Sequence, residues 1–304
     1  MLPDLITTSR ATQHAALNTL NSTNPTYLAS LITTASDLIR RTTHRDFSQT
    51  TYTEYHSGGI YIREPLRLRQ FPVLQISRVA MSPRPALLIQ NTDPVTNQRA
   101  TAETTPTSIR LTRTASAIST INDFAFTTYP TLNSIATAIN STGAGWIASI
   151  LNSLTNYPST DLRPLQGASS ALTLGTTLEL YTEDCPAFPH WPPGDSDYTS
   201  SSGNFGWRLD DETGELHAHF PRGRLNIRID YTAGFATIPQ AIQEASVQLV
   251  LDLYNAGLVN NTLKKATLGT GSFELQEQST TAVLSGKVSM LLSPYVDYSR
   301  IIFR

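Results

Sequence analysis

The stretch that most constrains the fold is residues 225–255, whose pattern predicts a strand, a short turn and a long helix. Apolar and polar residues alternate in its first part, which is the period of a half-buried strand. The apolar members of this strand are Leu225, Ile227, Ile229 and Tyr231. Pro239 then stands in the first turn of the predicted helix, a position at which proline is tolerated.

The predicted helix carries one narrow polar stripe, because a polar residue recurs at every fourth position. The residues of this stripe are Gln240, Glu244, Gln248 and Asp252. The rest of the circumference is apolar, much wider than the roughly 100° that a surface helix needs. Such a helix must be covered on several sides. Two interpretations stay open: the central helix of one core, or a helix packed against its own domain and also against a neighbouring subunit.

Composition excludes several classes of protein. The chain has 304 residues, enough for two domains of ordinary size. It contains no apolar run near the roughly 18 residues of a membrane span and no signal-peptide pattern, so we expect the protein to stay in the cytoplasm of the cell that makes it and to have no membrane partner. The single cysteine, Cys185, excludes an intrachain disulfide. With 22 basic and 24 acidic residues and no basic block, strong DNA binding is not expected.

A second amphipathic helix is predicted near the N-terminus. Apolar residues keep the i, i+3, i+4, i+7 spacing from Leu28 to Ile39, after a first helix that ends near Asn21. Four basic residues follow, which we interpret as a solvated last turn, where cations are favoured, with DNA contact as the alternative. They are Arg40, Arg41, His44 and Arg45.

Beyond this helix the period changes to two. A hairpin with a glycine turn is predicted over residues 52–62, and a strand over residues 71–79. From Arg84 to Phe220 the chain is rich in Thr, Ser and Ala, with several predicted strands and a short helix over residues 132–139. This block differs in composition from both flanks, which indicates an insertion.

We therefore predict an α+β fold: a small helical core of three to four helices with short strands, interrupted by a β-rich insertion domain. The predicted N-terminal part of the core is 1–83. The Thr/Ser-rich insertion is 84–220. The C-terminal part of the core, with an apolar tail, is 221–304.

The most enzyme-like cluster contains His217 and His219, which follow three acidic residues. Two histidines at i and i+2 of a strand point the same way and can ligate a metal. The turn sequence around Gly214 favours a different interpretation, a hairpin whose exposed strand carries both histidines. The three acidic residues are Asp210, Asp211 and Glu212.

Other candidates for chemistry are weaker still. Cys185, His190, Asp195 and Asp197 have no spacing diagnostic of a thiol nucleophile or of metal ligands. The chain lacks the nucleophile elbow, the phosphate-binding loop, the dinucleotide fingerprint and the zinc-protease motif. We expect no enzyme activity, no catalytic residue, no metal and no cofactor.

Motifs at the two ends of the chain occur in a recognisable order. Near the N-terminus, a helix of the form L-x-x-L-I-x-x-A-x-x-L-I-R is followed by R-D-F and by the strand Tyr52-Thr53-Glu54-Tyr55. Near the C-terminus, a strand leads through Thr232-Ala233-Gly234-Phe235 and Pro239 into the long helix, and Leu291-Leu292-Ser293-Pro294-Tyr295 comes later. In these segments the chain resembles the head-to-tail connector proteins, also called adaptor or head-completion proteins, of long-tailed bacteriophages.

The resemblance implies a structural virion protein that forms a homo-oligomeric ring, commonly of twelve copies. The ring would lie in the neck beneath the portal protein, contact the next neck or tail component, and continue a channel through which DNA passes without specific binding. The predicted subunit interface is Ile242, Ala245, Leu249, Val250 and Leu253. The polar stripe Gln240, Glu244, Gln248 and Asp252 is predicted to face the channel. The residues predicted to dock on the portal or neck are Tyr295, Tyr298, Ile301, Ile302 and Phe303.

The insertion departs from the compact pattern of this family, and its role stays open. It can decorate the particle, contact the capsid or neighbouring subunits, or act as an interaction module that binds host-surface glycans. Four aromatic residues are candidate stacking residues for the last role: Trp146, Trp191, Trp207 and Tyr198.

Overall fold

A computed structural model describes most of the chain. The described residues are 3–58, 65–164, 168–185, 207–211, 213–218, 220–258, 265–268, 271–274 and 285–296. The α-helices are α1 Thr8–Ala11, α2 Ala15–Thr23, α3 Pro25–Thr43, α4 Leu132–Ser141, α5 Gln240–Leu258 and α6 Gly286–Leu292. None of the helices in these residues is long and apolar enough to cross a membrane.

The strands are more numerous than the helices. They are β1 Thr50–Gly58, β2 Leu66–Arg67, β3 Val73–Met81, β4 Arg84–Asn91, β5 Asn97–Thr104, β6 Ser108–Ala115, β7 Ile118–Ala125, β8 Trp146–Ile150, β9 Ser169–Ser170, β10 Thr176–Leu180, β11 Glu183–Asp184, β12 Trp207–Asp210, β13 Glu215–Ala218, β14 Gly223–Ala233, β15 Lys265–Leu268 and β16 Gly271–Glu274.

The predicted fold class, a small helical core with short strands, is wrong. Within the described residues the protein is mainly β, and long strands also occur in the parts predicted to be the helical core. β1 and β3 have 9 residues each and β14 has 11. The physical reason is that the alternating residues of β14 bury their own apolar face in a sheet core, which is separate from the core of the helices.

The central sheet has the strand order β1-β14-β3-β11, with antiparallel pairing between neighbours. In its register, Tyr231 of β14 lies opposite Tyr52 of β1, and Ile229 lies opposite Val79 of β3. One face of this sheet is apolar and is covered by Leu68, Leu216, Phe220 and other residues of the same cluster. The other face is polar and meets the insertion.

The helices form a second core. The apolar residues of α3 pack with those of α2, α5 and α6. Asn24 caps α3 by accepting a hydrogen bond from the Tyr27 backbone N–H at 3.1 Å, and Pro25 occupies its first turn. The helix ends at Thr43, and the residue that follows, His44, adopts the left-handed conformation with φ 56°.

The third core lies between residues 86 and 180 and belongs to the insertion. It combines the sheet β10-β4-β8 and the sheet β7-β6-β5-β9 with the helix α4. The predicted helix over 132–139 is present, and one of the several strands predicted for this block lies at residues 146–150. The strands β4 and β5 were not expected, because the stretch around residues 83–106 is punctuated by turn-forming residues. The domain limits themselves stay a prediction.

Candidate functional site

The turn between β14 and α5 is held by backbone hydrogen bonds to two other segments. Gly234 donates to the Pro72 carbonyl at 3.0 Å, and Phe235 donates to the Phe47 carbonyl at 2.8 Å. Gly234 has φ +101°, and a Cβ atom built there would lie 2.6 Å from the Ser48 carbonyl oxygen. Because only glycine fits this position, the Thr-Ala-Gly-Phe motif determines how the strand enters the helix.

The residues predicted to form the subunit interface lie mostly inside their own chain. Ile242, Ala245, Leu249 and Val250 are buried in the helical core, and Leu253 is partly buried against it. The apolar circumference of α5 is therefore covered largely by α3, α6 and their neighbours within one subunit. An interface role for these five residues stays a prediction. Leu253 is the one whose side chain keeps some exposed surface.

The polar stripe of α5 meets basic residues of two other helices. Gln240 is exposed, while Glu244 lies 3.5 Å from the Arg10 guanidinium of α1 and 3.8 Å from Lys287 Nζ of α6. Lys287 also donates to Gln248 Oε1 at 3.0 Å, and Gln248 donates to Asp252 at 2.9 Å. The stripe is thus partly neutralised and partly covered within the subunit. The predicted channel-facing role of Gln240, Glu244, Gln248 and Asp252 remains a prediction.

Arg45 joins the end of α3 to the C-terminal segment. Its buried guanidinium lies 3.8 Å from the ring centroid of Phe71, donates to the Phe71 carbonyl, and donates to the Tyr295 carbonyl at 3.4 Å. The Tyr295 ring makes an edge contact with Phe47, with centroids 5.8 Å apart. Tyr295 is therefore fixed on its own subunit. The other predicted docking residues, Tyr298, Ile301, Ile302 and Phe303, lie outside the described residues.

Two of the four basic residues at the C-terminal end of α3 do not form a solvated last turn. Arg40 pairs with Asp37 and Asp46 and donates to the Pro3 carbonyl, and Arg45 is buried as described above. These two cations are used in packing the chain, so neither the solvated turn nor the DNA-contact alternative describes them.

A buried carboxylate connects β1 to β14. Glu54 accepts hydrogen bonds from the Tyr231 hydroxyl, from His56 Nε2 at 2.8 Å and from the Arg69 backbone N–H at 3.1 Å. Burial alone would raise the pKa of Glu54, but hydrogen bonds from His56 and Tyr231 outweigh it and hold the pKa below its ordinary value of 4.5. The same network raises the pKa of Tyr231, first by burial and then by its bond to Glu54. Sequence reasoning missed Glu54, although it shares strand parity with Tyr52 and is therefore at an inward position.

A second buried carboxylate joins the insertion to the central sheet. Asp161 accepts from Arg78 Nη1 of β3 at 2.7 Å and from Arg228 Nη1 of β14 at 2.8 Å. Arg78 also donates to Asp184 at 2.7 Å, and burial, which lowers its pKa, is outweighed by the two carboxylates, so the pKa of Arg78 is raised. Tyr181 adds a hydrogen bond to the Leu225 carbonyl at 2.5 Å. We call Asp161, Arg78 and Arg228 the joint.

The described candidates for metal or catalytic chemistry do not form a metal-binding group. The predicted hairpin is present as β12 and β13, and the partly exposed His217 of β13 lies 3.9 Å from Glu215. His219 and Glu212 lie outside the described residues, as do His190, Asp195 and Asp197. Cys185 is buried, which raises its pKa to about 11 and keeps the thiol protonated near neutral pH. Within the described part of the chain, no group of three His, Cys, Asp or Glu residues could hold a metal ion.

The aromatic residues suggested for glycan stacking give little support to that role. Trp146 is only 3% exposed and belongs to the insertion core, and Trp207 packs against the core of the central sheet. Trp191 and Tyr198 lie outside the described residues. No protein-family model matches the chain, and no curated protein compared with it gives a significant match.

Proposed function

We infer that the protein is a structural subunit of a phage head-to-tail connector ring, located between the portal and the next neck or tail component. One observation carries this proposal: the two distant segments that bear the resemblance pack against each other. The apolar face of α3 shares one core with α5, and Phe235 of the Thr-Ala-Gly-Phe turn pairs with the backbone of Phe47. Motifs that merely recur by chance along a chain have no reason to meet in one structural unit.

The charges are compatible with a channel that lets DNA slide. The formal net charge is -2, and Glu244, one of the two acidic members of the α5 stripe, is paired with Arg10 and Lys287. Each phosphate contact made by a basic residue would make DNA movement slower and more sensitive to salt. A nearly neutral wall avoids both costs.

The ring also needs complementary patches on different sides of each subunit. Most apolar residues of α5 are buried in the helical core of their own subunit. We therefore assign the contacts with neighbouring subunits to apolar residues of the helices that remain exposed. Met290 of α6 is 69% exposed and Tyr27 of α3 is 38% exposed. Leu253, which is partly buried, extends this set.

Mass measurement of the purified chain, alone and mixed with purified portal rings, tests the proposal. We expect many copies of the chain to join each portal ring. The variant Met290→Asp should weaken this assembly at least about tenfold, because it places a charge in an apolar contact. The control Leu74→Asp changes a side chain of β3 that is 50% exposed and should assemble normally. A chain that stays monomeric and never joins a portal ring would overturn the proposal.

A further inference from the structure

Most outer strands of the insertion sheets are covered or short. The Asn140 side chain covers the outer edge of β8, where it donates to the Ala148 carbonyl at 3.0 Å and accepts from the Ala148 N–H at 2.7 Å. The Arg163 backbone covers the outer edge of β10, where it donates to the Glu179 carbonyl at 2.8 Å. The outer strand β9 has only 2 residues. Among the outer strands of the described insertion, β7 is the one that is both long and uncovered.

The direction of the backbone groups in β7 follows from the turn before it. Ser116 and Ala117 both have positive φ, 49° and 64°, and β6 and β7 pair directly on either side of them. In such a two-residue turn the flanking residues exchange both backbone hydrogen bonds, and the direction then alternates along each strand. Ile118 and the other even-numbered residues of β7 therefore bond β6, whereas the odd-numbered residues point away. The Ala125 carbonyl agrees, since it accepts from a backbone N–H outside the sheet at 3.0 Å.

The outward-pointing residues of β7 offer a template for another strand. The N–H and C=O groups of Ser119, Ile121 and Asp123 have no backbone partner among the described residues. Nature protects outer strands with proline, lysine, a bulge or a covering element. The sequence of β7 contains neither proline nor lysine, and its register with β6 is regular. Ile118 is 70% exposed and Ile121 is 58% exposed, so pairing would also cover apolar surface.

The surroundings of β7 favour a second copy of the same strand over a foreign peptide. Sites that recruit a foreign strand select it with pockets for alternate side chains beside the edge. Residues 118–121 are all exposed, although their side chains alternate between the two faces of the sheet, so no element stands beside this part of β7 to form such pockets. A strand that pairs with its own copy needs none, because a two-fold axis applies each favourable contact twice.

One register of such a pair satisfies the free backbone groups and the charges together. Directly opposite residues of an antiparallel pair share the same backbone direction, so the two-fold axis has to pass through an odd-numbered residue. An axis at Asp123 places two carboxylates opposite each other, which is unfavourable. An axis at Ser119 places Ile121 opposite the turn. An axis at Ile121 places Ser119 opposite Asp123 of the other copy, and all the free groups of these residues are then paired.

The same register covers both exposed isoleucines of β7. On one face of the extended sheet, Ile121 lies opposite its own copy. On the other face, Ile118 lies opposite Phe124 of the other copy, which is only 6% exposed and belongs to the insertion core. Cross-strand pairs of apolar side chains stabilise a sheet. The backbone, the charges and the apolar side chains thus select one and the same pairing.

We propose that β7 joins two copies of this chain by antiparallel pairing about a two-fold axis at Ile121. The sheet β7-β6-β5-β9 then continues from one insertion into the other. A cyclic ring uses different surfaces on the two sides of each subunit, so this two-fold pairing is a second contact, separate from the ring contact. The inference goes beyond the proposed function and does not depend on it.

The first test measures the association of the full chain by analytical ultracentrifugation, after thermal melting has established that each variant folds like the wild type. Ser119→Asp places a carboxylate opposite Asp123 of the other copy and should weaken pairing at least about tenfold, whereas Ser119→Lys should tighten it. The control Thr120→Asp adds the same charge one residue away, opposite the neutral Asn122 of the other copy. It should change pairing by less than about threefold.

The second test reads the register with a disulfide. Opposite Cα atoms of a hydrogen-bonded antiparallel pair are about 5.5 Å apart, which is within the range of a disulfide. In the control Ser119→Cys, the two substituted positions are more than about 10 Å apart in the proposed register. With oxidised glutathione, Ile121→Cys should therefore form linked pairs at least about tenfold faster than Ser119→Cys. The wild type, whose Cys185 is buried, gives the background rate.

Several outcomes would overturn the pairing. A wild type that stays monomeric up to about 0.1 mM would do so. Equal rates of linking for Ile121→Cys and Ser119→Cys would exclude the register. Pairs that are weakened by Met290→Asp but not by Ser119→Asp would place the contact on the helices instead. None of these results alters the binding of the chain to portal rings, which tests the proposed function separately.

Discussion

At the scale of single residues, Glu54 is a buried carboxylate whose charge is stabilised by hydrogen-bond donors. Its carboxylate is buried and held by donors from three residues. The variant Glu54→Gln keeps the shape of the side chain but loses the charge-assisted hydrogen bonds. We expect it to lower the free energy of unfolding by about 1 to 3 kcal/mol at pH 7, measured by chemical denaturation.

The effect of this variant should depend on pH in a definite direction. The folded-state pKa of Glu54 lies below its ordinary value of 4.5, so its contribution is fully present above that value. It is lost as pH falls through the lowered, folded-state pKa. The gap in stability between wild type and Glu54→Gln should therefore shrink on acidification. A gap that stays constant as the pH falls well below 4.5 would mean that the charge of Glu54 does not stabilise the fold.

Gly234 combines a positive φ with a close backbone contact. Alanine there would combine φ +101° with a Cβ atom 2.6 Å from the Ser48 carbonyl oxygen. We expect Gly234→Ala to lower the free energy of unfolding by roughly 2 to 3 kcal/mol. The control Gly143→Ala also has a positive φ, +72°, but a Cβ there meets nothing within 4 Å. Equal effects of the two variants would show that the contact with Ser48 relaxes without cost.

At the scale of secondary-structure elements, α5 is stabilised mainly from within its own subunit. Leu249 is buried against the helical core, whereas Gln240 is exposed at the start of the same helix. Leu249→Ala should lower the free energy of unfolding by about 2 to 5 kcal/mol, because it leaves a cavity. Gln240→Ala should change it by no more than about 0.5 kcal/mol. The measurement is chemical denaturation of the isolated chain, and a loss for Leu249→Ala that appears only in the assembled ring would contradict this account.

The elements that sequence patterns predict well are those with one clear period. α3 has an apolar stripe and an asparagine cap, α5 follows a strand and a proline, and both are present in the structure. β4 was missed because Ala86, Leu87 and Ile89 are buried on both of its faces, so polar and apolar residues do not alternate. β5 was missed because its inward residues include Ala100 and Ala102, whose small side chains give a weak apolar signal.

At the scale of the whole molecule, the joint sets how the insertion sits on the central sheet. Asp161 is buried between two guanidinium groups, whereas Asp123 forms an exposed pair with Arg110 at a similar distance, 2.8 Å. Asp161→Asn leaves each partly buried guanidinium with a single carboxylate, Asp184 for Arg78 and Asp230 for Arg228, and should cost about 1.5 to 3 kcal/mol. Asp123→Asn should cost no more than about 1 kcal/mol. The rate of hydrogen exchange at the amides of residues 159–163 should rise in Asp161→Asn but not in Asp123→Asn. An unchanged rate in Asp161→Asn would show that the joint does not set the orientation of the insertion on the central sheet.

The ion pairs of the joint could not be predicted because their residues are far apart in the sequence. The partners of Asp161 are 83 and 67 residues away in sequence, and nothing near residue 161 marks a buried charge. Tyr231 is likewise 177 residues from Glu54. Periodicity reports which side of an element is buried, but it does not report which elements meet. The contacts among the three cores therefore had no local signal.

The C-terminal segment offers a test that separates folding from attachment. Truncation after Pro294 would also remove Tyr295, whose ring contacts Phe47 and whose carbonyl accepts from Arg45. Truncation after Val296 spares these contacts and removes only residues 297–304. We expect this shorter chain to unfold at the same denaturant concentration as the full chain, but to bind purified portal rings at least about tenfold more weakly. Tyr295→Ala in the full chain should instead lower the free energy of unfolding by about 1 kcal/mol. If the truncated chain bound portal rings as tightly as the full chain, residues 297–304 would have no part in docking. The portal would then have to bind exposed residues of the helices that form the helical core.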